Sequence, residues 1–126
     1  MTRPTRLTED VAARRRQEDE SPRLLTIVPH LVSLRLELKE SRGEGQVEFS
    51  HIKRIALDNA PSVFTIPCGE PRCKRGSYDL TDAILAGLRR GESRIEAVDT
   101  CMGDVGTARC GRVLRCVAVA EYAPTR

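Results

Sequence analysis

The sequence predicts an α+β fold, a mostly antiparallel sheet with one helix packed on a face or end, from three observations. Residues Leu31 to Glu40 alternate, with Leu34, Leu36 and Leu38 on one side and Ser33, Arg35, Glu37 and Lys39 on the other, as in a half-buried strand. Residues Val113 to Tyr122 are apolar on both faces, which suits a strand central in its sheet. Between them, Ile84, Leu85 and Leu88 mark one face of a helix over Ala83 to Arg90.

In chain order, residues 1–22 carry few large apolar side chains. Their five Arg and five acidic residues cancel, with Arg14-Arg15-Arg16 followed by Glu18-Asp19-Glu20. No continuing helical period supports a stable helix there, so a disordered charged arm is expected, followed by a single domain over 23–126. After the first strand, Arg42 to Gly45 supplies a turn, and Gln46 to Phe49 reads as a returning strand with Val47 and Phe49 on the core side. His51 to Asp58 fits a helical turn as well as an extended segment. Asp58 to Ser62 is a turn by composition, and Val63 to Ile66 is a short β-prone run leading into Pro67-Cys68. Asp79 or Thr81 is placed to cap the helix, Arg89 and Arg90 suit its carboxyl end, and Gly91 ends it. Ser93 to Asp99 is a further strand with Ile95 and Ala97 opposite Arg94 and Glu96.

Composition narrows the function classes. Aromatic residues make up 3% of the 126 residues and Trp is absent, so the core is built from aliphatic side chains and a covalent or metal staple gains importance. The net charge of +3 allows nucleic acid without requiring it. The first ten residues show no apolar run behind their basic groups, and Leu24 to Val32 is too short to span a membrane. The expectation is a cytoplasmic chain with no membrane partner, where paired cysteines are more often metal ligands or redox groups than disulfides.

Four of the five cysteines fall in two Gly/Pro-rich loops. Cys68 and Cys73 have four residues between them, including Gly69 and Pro71, at the outer limit of knuckle spacing; Cys101 and Cys110 have eight, more than a standard knuckle. Gly103 and Gly106 would let that wider loop double back. A four-thiolate zinc site from Cys68, Cys73, Cys101 and Cys110 is one reading of residues 68–110, and buried or incidental thiols are another. Redox pairs are a third, against which stands the lack of any C-x-x-C. Cys116, inside a strand, reads as a small core residue, and His51 as a polar residue beside a strand end, although either is able to replace a ligand. His30 has no matching partner. Four thiolates leave no open position, so such a Zn2+ is structural rather than catalytic.

Pro67-Cys68, Cys73, the run Asp79-Leu-Thr-Asp-Ala-Ile-Leu85, Cys101 and Cys110-Gly-Arg-Val-Leu114 together resemble zinc-ribbon-like modules of small uncharacterised bacterial proteins, over about Val63 to Tyr122. The resemblance implies a zinc-ribbon-like second half with a bound zinc, and names no activity.

Arg72, Lys74 and Arg75 sit in the first cysteine loop, Arg89, Arg90 and Arg94 lie around the helix end, and Arg109 and Arg112 flank Cys110. Gathered by a metal, they would form one positive face able to track RNA or DNA phosphates. No aromatic residues interleave with them to stack bases. A protein-interaction adaptor is the alternative, with the arm and an edge strand near Leu31 to Lys39 as docking surfaces. A thiol/zinc redox switch is a further one. An enzyme is not expected, because no phosphate cradle, H-E-x-x-H or Ser/His/Asp set is present.

Overall fold

The computed structural model describes residues 6–42, 47–74 and 76–124, with side chains from Val11 onward. The expected turn at Gly43 to Gly45, Gln46 and the Arg75 side chain fall outside these residues. The fold is α+β. Helices α1 (Arg6–Glu20) and α2 (Leu24–Ile27) precede strands β1 (Leu31–Arg42) and β2 (Val47–Arg54), a 3-10 turn at Leu57–Asn59, and strands β3 (Thr65–Pro67) and β4 (Ser77–Asp79). Helix α3 (Thr81–Arg89), β5 (Arg94–Thr100), the two-residue strands β6 (Asp104–Val105) and β7 (Ala108–Arg109), and β8 (Arg112–Tyr122) complete the chain.

The main sheet is antiparallel, in the order β2-β1-β8-β5, so β8 is central as its two apolar faces require. Alternation sorts β1 and β8 cleanly: Leu34, Leu36 and Leu38 join Leu114, Cys116 and Ala118 in the core, while the residues between them face outward. Helix α3 packs on β5 through Ile84 and Leu88, and Phe64, Tyr78 and Leu80 bury themselves in the same core. Asp79 accepts the Thr81 amide at 3.1 Å, and Gly91 (φ +72) ends the helix.

Three expectations are corrected. Residues 6–20 are helical, because Arg, Gln, Glu and Ala are good helix formers that need no apolar stripe, and the helix end is tied down. The Ser21 hydroxyl donates to the Glu18 carbonyl (2.7 Å) and accepts the Ser62 amide (3.3 Å), and Arg23 donates to the Asn59 carbonyl (2.9 Å). Phe49 does lie on the inner side, opposite Glu40, but it is 55% exposed and Val47 52%, since β2 is an edge strand beyond the cover of α3. Conversely, Leu31 to Lys39 is no edge: β1 is flanked by β2 and β8, and the free edges belong to β2 and β5. The ambiguous stretch from His51 divides, continuing β2 to Arg54 and then turning at Leu57–Asn59.

Candidate metal centre

Strand β3 ends at Pro67 and delivers Cys68 into a turn. The Cys68 amide donates to the Gly76 carbonyl (3.2 Å) and the Cys73 amide to the Glu70 carbonyl (3.0 Å), which folds the first loop back on itself. The wide second loop is resolved by a hairpin, because β6 and β7 pair Asp104 with Arg109 and Val105 with Ala108. That pairing takes up the extra residues and leaves Cys101 and Cys110 side by side. The Cys101 amide donates to the Arg112 carbonyl (2.7 Å), the Gly111 amide to the Cys101 carbonyl (3.2 Å) and the Cys110 amide to the Gly103 carbonyl (2.7 Å). The two lobes are stitched together where the Lys74 amide donates to the Asp104 carbonyl (2.7 Å) and the Asp104 amide to the Lys74 carbonyl (3.0 Å).

The four sulfurs converge. Cys68 and Cys110 approach to 3.7 Å, Cys73 and Cys101 to 3.5 Å, and all four Sγ atoms lie within 4.8 Å of one another. A tetrahedral ion with metal–sulfur bonds of about 2.3 Å requires sulfur–sulfur edges of about 3.8 Å. The cluster therefore has the size of a four-thiolate site and is able to hold a metal ion.

Backbone amides are aimed at the sulfurs with a repeated offset. The Gly103 amide donates to Cys101 Sγ at 3.4 Å, and the amides of Glu70 and Arg112 donate to Cys68 and Cys110, in each case from two residues further on. Such donors favour thiolates. Burial acts in the opposite sense: it pushes the Cys68 thiol up to about 11 and raises Cys73 as well, with the neighbouring thiols adding to both. At Cys110 burial also disfavours the thiolate, but the Arg112 amide and the thiols of Cys73, Cys68 and Cys101 outweigh it, and the pKa falls. Four thiolates this close do not all ionise without a compensating cation, and a bound divalent ion would supply that charge.

Two glycines set the closeness of approach. A Cβ on Gly103 would lie 2.6 Å from both Cys73 Sγ and the Lys74 carbonyl oxygen, and one on Gly76 would lie 2.6 Å from Cys101 Sγ. Only glycine lets these loops press against the sulfurs.

Beneath the cluster sits a buried polar network. Glu40 accepts the Tyr78 hydroxyl (2.6 Å) and the Gly69 amide (3.0 Å) on one oxygen, and pairs with Arg112 (3.1 Å) through the other. Arg112 also reaches Glu48 (3.1 Å) and Glu70 (3.8 Å) and lies over the Phe49 ring at 5.6 Å. Tyr78 Oη is 3.9 Å from Cys68 Sγ, and burial and then Glu40 raise the phenol's pKa. Sequence reasoning missed Glu40 and Tyr78 altogether. The signal for Glu40 was present, a carboxylate on the apolar side of an alternating strand, two residues beyond Leu38.

Of the remaining candidates, Cys116 is 2% exposed on the inner face of β8, between Leu38 and Ala97, and belongs to the core. His51 and His30 are exposed, and neither joins the sulfur group. Arg112 is corrected: at 2% exposure it is a buried ion-pair partner, out of reach of a phosphate. Arg72, Lys74 and Arg109 are exposed on the two stitched loops. Arg89, Arg90 and Arg94 are exposed too, but lie beyond the opposite end of β5, roughly 20 Å away by strand length. The basic groups thus form two clusters instead of one face. Arg72, Arg90 and Arg94 are each paired with a neighbouring Glu70, Glu92 or Glu96.

No protein-family model, curated protein or solved structure matches the chain.

Proposed function

We propose that Cys68, Cys73, Cys101 and Cys110 hold a structural zinc ion and that the chain is a small zinc-stabilised module of the zinc-ribbon kind, acting by binding. The observation that carries this reading is the four-sulfur cluster with edges near those of a tetrahedral thiolate site. An all-thiolate donor set favours zinc over hard oxygen-loving cations, and the amide donors around it suit a closed centre. Four protein ligands leave no position for a substrate, so the centre braces loops instead of performing chemistry.

The binding surface assigned to nucleic acid is the loop cluster of Arg72, Lys74 and Arg109, held together by the metal lobes. With no aromatic platform among these loops, contact would be to phosphates, non-specific and strongly salt-dependent. The test is metal analysis with a thiol count on the purified chain, followed by gel shift over a salt series. One zinc per chain, cobalt substitution giving tetrahedral thiolate bands, and retardation lost in Lys74→Glu are expected. A metal-free chain at neutral pH would sink the zinc reading, and no retardation at low salt would remove nucleic acid. A protein partner would instead be captured in a nuclease-resistant form.

A further inference from the structure

The outer face of the main sheet has no layer over it among the described residues. Its side chains are the outward-facing residues of β2, β1, β8 and β5, and Val32, Ile52 and Val98 on it are 57, 55 and 61% exposed. The pairing register places them in rows across the four strands. One row is Arg54, Arg35, Val119 and Arg94. The next is Ile52, Glu37, Val117 and Glu96, and the next Ser50, Lys39, Arg115 and Val98. On the other side of the arginine row stand Ser33 and Glu121. Along the strands the charge therefore reads negative, positive, negative, positive, with a valine column on β8 running through the middle.

Such a face is complementary to itself. A two-fold axis lying across the sheet, between the Arg35 row and the Glu37 row, exchanges those two rows and also exchanges the Glu121 row with the Arg115 row. Every positive row then meets a negative one. Arg35 faces Glu37 of the second copy, Arg94 faces Glu96, Arg115 faces Glu121, and Val117 packs on Val119. The Arg35–Glu37 and Arg94–Glu96 pairs already formed within one chain, at 3.2 and 3.9 Å, become halves of four-charge rings. Four strands at about 4.8 Å spacing and four rows cover roughly 500 Å2 per copy, or about 1,000 Å2 in all, the lower bound for a specific interface.

We infer that this open sheet face is a homodimer interface, in which two copies stack face to face through matched charge rows and the β8 valine column. It is distinct from the metal loops, which stay exposed at the sheet's end, and it does not rest on the zinc assignment.

The test is sedimentation equilibrium of the full chain as purified, from about 10 to about 200 µM at low salt. The wild type is expected to be a dimer that weakens as salt rises. Arg35→Glu alone and Glu37→Arg alone each place like charges opposite one another and should weaken the dimer at least tenfold. Mixing these two variants should restore it as a heterodimer, because two glutamates of one chain then face two arginines of the other. Arg35 is exposed and Glu37 half-buried on the open face, and neither enters the core, so circular dichroism should match wild type. That heterodimer rescue distinguishes a lost interface from a damaged fold. A wild-type monomer across the range, a dimer indifferent to both reversals, or no rescue on mixing overturns the inference. A monomer whose nucleic-acid retardation disappears in Arg35→Glu also overturns it and assigns the face to phosphate.

Discussion

At Gly103 a single hydrogen in place of a methyl group decides whether the sulfurs close up, because a Cβ there would press on Cys73 Sγ and the Lys74 carbonyl at once. The carbonyl belongs to the bond that stitches the lobes, so it has little room to give. Gly103→Ala should lower metal affinity at least tenfold in chelator competition, while Cys116→Ala leaves one metal per chain. Cys116 makes its own prediction. Burial, with the Glu37 charge adding, pushes this thiol up to about 11, above its unfolded value. A folded pKa above the unfolded one means stability that is complete below about pH 8.5 and is lost as pH rises through the folded pKa. The thermal midpoint of the metal-loaded chain should therefore decline between about pH 9 and 11, and less steeply in Cys116→Ala. Equal slopes would show that Cys116 ionises as freely as in the unfolded chain.

Among the elements, β1, β2, the first cysteine loop and β8 meet at Arg112. Its side chain is 3% exposed and Glu40's is 8%, so their 3.1 Å pair is shielded from water. Removing one partner strands the other charge, which typically costs about 3–5 kcal/mol, whereas replacing both with apolar groups of similar shape is nearly neutral. Arg112→Met and Glu40→Leu should each destabilise by that order in urea unfolding, with the double variant well short of the sum. Full additivity would mean the pair is not coupled. Which elements were legible follows the range of the forces involved. Strands β1 and β8 and helix α3 could be read because their apolar periods are local. Arg112 was misread because a cation beside a cysteine looks like surface when its partner Glu40 lies 72 residues away. The side assigned to Phe49 was right and its burial was not, since whether an edge strand is covered depends on layers that no local period encodes. The second cysteine loop appeared too wide until Asp104 to Arg109 formed a hairpin, a pairing of only two residues per strand that leaves no alternation to detect.

For the whole molecule, a core poor in aromatics and a four-sulfur centre at one end of the sheet imply that metal and fold are linked. Chelation should lower the thermal midpoint and lose protection first in residues 68–110, as read by hydrogen exchange; an unchanged midpoint would make the centre dispensable to the fold. No helix of the described residues is long and apolar enough to cross a membrane. The sheet order has a consequence for time as well as stability. Residues 31–42 pair with 112–122, so the central strands meet only after the intervening chain has closed into a loop. All four thiolates lie within that loop, and an ion joining Cys68 to Cys110, 42 residues apart, shortens what must still be closed. From Glu40 to Arg112 the free length falls from 72 to roughly 30 residues, a saving of about 0.8 kcal/mol in closure entropy. Refolding that begins with metal capture should thus run about fourfold faster than refolding of the metal-free chain, as stopped-flow fluorescence of Tyr78 and Tyr122 would register. An ion bound by the four sulfurs would then also set the order in which the strands find each other.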